Sequence, residues 1–130
     1  MAQIPGDYNK TRPDNQETQS ILTAEAIKDG DLVKFTTTDG VTMAYICDAD
    51  GDNWDGVALG AAAASTMLRV ITRGYVPTVA CTGSVVVGSL MDSNGSTGTA
   101  GTAVLVGATI VTRLKALTAI SGGFCEAWIR

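Results

Sequence analysis

The 130-residue chain carries 13 acidic and 9 basic residues, no histidine and a formal charge of −4, so it has no basic surface able to neutralise several phosphates, and nucleic acid is not an expected partner. A membrane is not expected either: the longest apolar runs, 61–64 and 103–106, fall far short of the roughly 20 residues that span a bilayer, and the lysines and arginines are scattered rather than clustered. Apolar residues make up 45% of the chain and aromatics only 5%, a palette of Val, Ile, Leu, Ala and Thr that, punctuated by 15 glycines, predicts short strands joined by tight turns.

Residues 1–20 are polar, contain Pro5 and Pro13, and follow neither the helical nor the strand period, which predicts an extended arm ordered by whatever it lies on. Pro5, Gly6 and Asp7 stand where a signal peptide would need an apolar stretch, so synthesis and folding in a cytoplasm are expected. Within the arm, Ile4, Pro5, Tyr8 and Arg12 are the candidate contact residues, since apolar side chains have no reason to be spaced along a purely solvated tail.

From Ile21 the character changes. The segment 22–27 leads into Lys28-Asp29-Gly30-Asp31, a turn, and then into Leu32-Val33-Lys34-Phe35. Val33, Phe35 and Thr37 alternate with Lys34, Thr36 and Thr38, Asp39-Gly40 intervenes, and Val41, Met43 and Tyr45 alternate in return: a β-hairpin with a two-residue turn. An acidic loop, 47–55, precedes an apolar run at 56–60, and 61–65 reads as one helical turn or a packed loop. A strand at 67–73 is expected to break at Gly74 and resume at Tyr75-Val76-Pro77 as an edge or bulge, because proline cannot donate to a ladder. Further short strands are expected at 85–87, 90–91, 103–106, 109–114 and 124–129, with a flexible loop at 94–101.

Lys28-Asp29-Gly30-Asp31-Leu32-Val33 is echoed by Val86-Val87-Gly88-Ser89-Leu90-Met91, each placing a glycine two residues before a leucine that starts a strand. The echo supports a barrel of repeated strand-turn-strand units, closed so that edges are hidden. Cys47, Cys81 and Cys125 are odd in number, widely spaced and flanked by apolar residues, so they read as buried thiols in a reducing compartment.

The inventory for chemistry is sparse. Without histidine, a serine or cysteine nucleophile lacks its usual base, and no phosphate-binding or dinucleotide glycine motif opens a helix. Asp48, Asp50 and Asp52 alternate as in a calcium loop, but the sixth position is Asn53 instead of glycine and the twelfth is Leu59 instead of glutamate, so a solvated acidic turn is the better reading. No catalytic residue, metal or cofactor is therefore assigned, and the protein is not expected to be an enzyme. Trp54 and Tyr75 are the candidate surface-binding aromatics.

Taken in order, Asp29-Gly30-Asp31-Leu32-Val33, the run 55–62 (DGVALGAA), the run 68–76 (LRVITRGYV), Val87-Gly88-Ser89-Leu90-Met91 and Val106-Gly107-Ala108-Thr109 resemble the landmarks of small capsid cement, or decoration, proteins of tailed phages. The resemblance covers about 24–129, with Ser89 standing where many such proteins carry aspartate. It implies a compact, often trimeric β domain that binds the outside of the capsid at junctions of the major capsid protein and resists internal DNA pressure. The expected architecture is accordingly mainly β: an arm over 1–20, then one small antiparallel β-barrel or sandwich, β-tulip-like, over 21–130. The expected partners are the major capsid protein and further copies of the chain, as a homotrimer with a dimer as the alternative, on the outer capsid surface of a virion assembled in a bacterial cytoplasm. A receptor- or glycan-binding β module of head or tail is the competing function, and it requires Trp54 or Tyr75 to be exposed.

Overall fold

The computed structural model describes residues 16–47, 53–94, 102–105 and 113–130. Among them are nine strands and no helix: β1 (Gln16–Thr23), β2 (Leu32–Thr38), β3 (Val41–Ile46), β4 (Gly56–Ala58), β5 (Met67–Thr82), β6 (Leu90–Asn94), β7 (Thr102–Leu105), β8 (Leu114–Ala116) and β9 (Phe124–Ile129). They form one sheet in the order β1-β3-β2-β4-β5-β7-β6-β8-β9, and the further pairings β1–β5 and β5–β9 close it twice.

Each closure makes a five-stranded ring. The first runs β1-β3-β2-β4-β5 and the second β5-β7-β6-β8-β9, with the 16-residue β5 contributing its first half to one and its second half to the other. At Gly74 both partners meet, Gln16 of β1 and Ile129 of β9, so this residue marks the passage between rings. The break expected at Gly74 is thus absent, because ladders on both sides carry the strand through it. The irregularity expected at Pro77 is present: the β5–β9 register slips between Val76 and Val79. The sheet is also mixed rather than purely antiparallel, since β1–β3 in the first ring and β5–β7 in the second pair in parallel.

The two rings repeat one another, at an offset of 58 residues in β2 and β4, 59 in β3 and 57 in β5. Leu32 pairs with Val57 and Val33 with Gly56; 58 residues on, Leu90 pairs with Lys115 and Met91 with Leu114. The turns ahead of them match atom for atom. In the first, the Lys28 amide donates to Asp31 Oδ2 (2.9 Å) and the Asp31 amide returns to the Lys28 carbonyl (3.2 Å); in the second, the Val86 amide donates to Ser89 Oγ (3.0 Å) and the Ser89 amide to the Val86 carbonyl (3.0 Å). Gly30 and Gly88 take φ of 87° and 88°, a left-handed backbone that a side chain would strain. Gly30 N–H donates to Ala58 O (3.0 Å) and Gly88 N–H to Ala116 O (2.8 Å), and each alanine donates back to residue 31 or 89. The sequence echo is therefore the visible trace of an internal structural repeat that spans both rings.

Two apolar clusters fill the rings. The smaller joins Ile21, Ile27, Val33, Ala44, Ala58, Leu68 and Val70; the larger includes Val76, Val79, Met91, Leu114, Ala127 and Ile129, together with Leu32, Val57 and Ile71 from the first ring. Successive side chains on a strand face opposite ways, so Leu32 and Val33, Val57 and Ala58, Ile71 and Val70 each send one neighbour to each cluster. Burial on both faces makes both neighbours apolar at each of these three pairs.

The β2–β3 hairpin forms as expected, with Asp39 and Gly40 at φ of 52° and 77° and register from Val33↔Ile46 to Thr38↔Val41. Two local expectations change. Val86 and Val87 lie in the second turn rather than in a strand, because the Ser89 cap and Gly88 fold the chain there. Gln16–Ser20, assigned to the arm, belong to β1, where Gln16, Glu17, Gln19 and Ser20 pair with Gly74, Arg73, Val70 and Arg69; their polar composition reflects exposed side chains on a fully paired backbone. Ile4, Pro5, Tyr8 and Arg12 lie outside the described residues, as does the Asp48–Asp52 loop.

This boundary sets a truncation test. Deleting residues 1–15 is expected to leave the melting temperature within a few degrees of the full chain, whereas deleting 1–20 strips the outer ladder from Arg69–Gly74 and lowers stability by on the order of 3 kcal/mol, read by urea denaturation.

Candidate interaction surfaces

The aromatics singled out from sequence are not on the surface. Trp54 is 8% exposed in the larger core, with the Arg113 guanidinium 4.6 Å above its ring and an Arg113 NH2 donating to the Trp54 carbonyl at 3.1 Å. Cation and ring seal each other, a contact that contributes about 0.5–2 kcal/mol. Tyr75 is also 8% exposed; its hydroxyl donates to Glu126 Oε1, its carbonyl accepts from Gln16 Nε2 at 3.1 Å, and burial beside that carboxylate raises its pKa. Both side chains tie strands together, and neither presents a flat platform to a ligand.

The three thiols are reduced and buried, as their apolar neighbours implied. Cys81 and Cys125 lie next to each other across β5 and β9, and burial pushes the Cys125 thiol up to about 12, well away from the nucleophilic thiolate. Among the described residues no group of three or more His, Cys, Asp or Glu could hold a metal ion.

What the surface does offer is concentrated in strand ends and turns. Residues 36–42 of the β2–β3 hairpin are exposed on both faces, a ribbon of threonines with Val41 at its tip and a Thr37–Thr42 hydroxyl bond of 2.6 Å. Apolar side chains stand out at Val86 (58% exposed), Val87 (70%), Met67 (63%) and Phe124 (45%). Sequence reading missed Val86 and Val87 as surface residues. The signal was available in the echo, because aligning Val86-Val87-Gly88-Ser89 on Lys28-Asp29-Gly30-Asp31 places both valines at the turn tip.

Buried polar groups are all partnered among the described residues. The least comfortable is Asp31, buried at the turn, where desolvation lifts its carboxyl above the usual range despite the Lys28 amide. The duplicate position holds Ser89, which makes the same backbone bond without a charge.

No protein-family model matches the chain, nor does any curated protein. Among solved structures, the head fiber gp8.5 N base of bacteriophage phi29 is similar to it in fold: TM-score 0.67 over 88% of this chain and 94% of that one, at 15% sequence identity.

Two measurements follow. Trp54→Ala is expected to cost about 3–5 kcal/mol of unfolding free energy through lost core packing, read by denaturant titration. A carboxyl whose pKa rises on folding destabilises the native state once ionised and costs nothing below its ordinary pKa of 3.8. Asp31→Ser is therefore expected to be more stable than the parent at pH 7, with the difference vanishing as the pH falls below 3.8.

Proposed function

We propose that this chain is a structural component of a phage head, a decoration protein that binds the outer surface of the major capsid shell and stabilises it without catalysing a reaction. The single observation that carries the reading is the fold: a doubly closed β domain whose likeness to a head fiber base covers nearly the full length of both chains. The order of motifs from Asp29-Gly30 to Val106-Gly107 supports it independently, since that resemblance rests on residues and the other on backbone.

The physical properties suit such a role. A closed sheet leaves few unpaired edges, so the domain can be concentrated on a particle without strand-to-strand aggregation. Contacts that are individually modest gain avidity when several act from one oligomer, a trimer by resemblance. The competing reading, a glycan-binding module, required an exposed aromatic platform, and Trp54 and Tyr75 are both in the interior.

The test uses heads purified without the protein. Added full-length chain is expected to co-sediment with them at saturable stoichiometry and to raise the temperature at which they release DNA. Failure to co-sediment, or binding with no change in release temperature, overturns the proposal.

A further inference from the structure

The internal repeat has one contact in its first half that, among the described residues, lacks a counterpart in its second. In the first repeat, the Lys28–Asp31 turn packs onto the second half of β5, the strand that opens the second repeat: Ala80 N–H donates to Gly30 O at 2.9 Å. The approach is close enough that a Cβ on Gly30 would sit 3.0 Å from Ala80 N and 3.2 Å from Thr78 O. Gly30 is buried there.

Among the described residues, the equivalent turn of the second repeat packs on no further strand. Gly88 has the same backbone conformation and the same internal hydrogen bonds, yet it is exposed, and a Cβ added to it would meet nothing within 4 Å. Its tip carries Val86 and Val87, two of the most exposed large apolar side chains, where the first turn carries Lys28 and Asp29. β-branched residues at a solvated turn tip gain nothing for the fold, whereas covering them would remove apolar area from water.

The surface equivalent to the one that Gly30 covers lies on β1. Shifted back by 58 residues, Thr78 and Ala80 become Ser20 and Leu22 on β1, the strand that opens the first repeat; Ser20 is exposed and Leu22 half-buried. Among the described residues, no turn covers Ser20 as the Lys28–Asp31 turn covers Thr78 and Ala80.

We infer that the Val86–Ser89 turn of one copy docks on the Ser20–Leu22 edge of β1 in a second copy, head to tail, reproducing between chains the joint that links the two repeats within a chain. One detail differs. Leu22 already pairs with Met43, while Ala80 gives its N–H to Gly30, so the contact between chains rests on Val86 and Val87 more than on that backbone bond. The interface is heterologous: each copy uses two different patches, and successive copies can be added until a ring closes.

Sedimentation of the full chain over a concentration series provides the first test. Self-association is expected, and Val87→Asp is expected to weaken it by about tenfold or more while leaving the far-ultraviolet circular dichroism unchanged. The second test mixes a Ser20→Cys chain with a Val87→Cys chain under mild oxidant. A mixed disulfide dimer is expected, with no cross-linked dimer from either variant alone, and the buried native thiols do not compete. A wild-type chain that stays monomeric, a Val87→Asp chain that associates as the parent does, or cross-links within a single variant and not in the mixture each overturns the inference.

Discussion

The fold depends on β5 being paired along both edges through Gly74. One 16-residue strand supplies a wall to each ring, so neither ring closes without it: β1 and β4 take its first half, β9 and β7 its second. Register pairing of Gly74 with Gln16 on one side and Ile129 on the other keeps the two halves in one sheet. The clusters then differ in size for a topological reason. Leu32, Val57 and Ile71 turn away from their own ring and join the larger core, so that the first ring's outer face becomes part of the second ring's packing.

The internal repeat keeps the backbone hydrogen-bond pattern while the side chains differ. The positions that recur are those a hydrogen-bond pattern demands: a glycine at 30 and 88, an oxygen-bearing cap at 31 and 89, an alanine at 58 and 116. The positions that diverge are those facing different neighbours. Thr23 uses its hydroxyl on the Ala63 carbonyl at 2.7 Å, while its counterpart Cys81 packs its thiol against Cys125. Gly56 and Leu114 occupy one register position, but a Cβ at 56 would lie 2.4 Å from Val70 Cγ1, so only the second ring has room for a large side chain there.

Much of the strand pattern was legible because local chemistry decided it. Asp39-Gly40 between two alternating runs specified its hairpin, and the register slip fell beside Pro77, where a donor is missing. The errors came where distant pairing outweighed local composition. Gln16–Ser20 look like a solvated tail until β5 pairs with them; Val85-Val86-Val87 look like a strand until Ser89 caps the turn. Burial was the hardest to read. Trp54 beside an acidic loop suggested exposure, but Arg113, 59 residues away, folds over the ring. The repeat was visible only at its turns, since side chains elsewhere differ while the hydrogen bonds recur.

Cys47, Cys81 and Cys125 all belong to the larger cluster, and the smaller cluster contains none. Alkylation of these thiols in the folded protein therefore requires that cluster to open, and loosening confined to the Ile21–Val70 side would leave them silent. Pulse labelling of native cysteines can thus distinguish breathing of one half of the molecule from cooperative collapse of both, with no engineered probe.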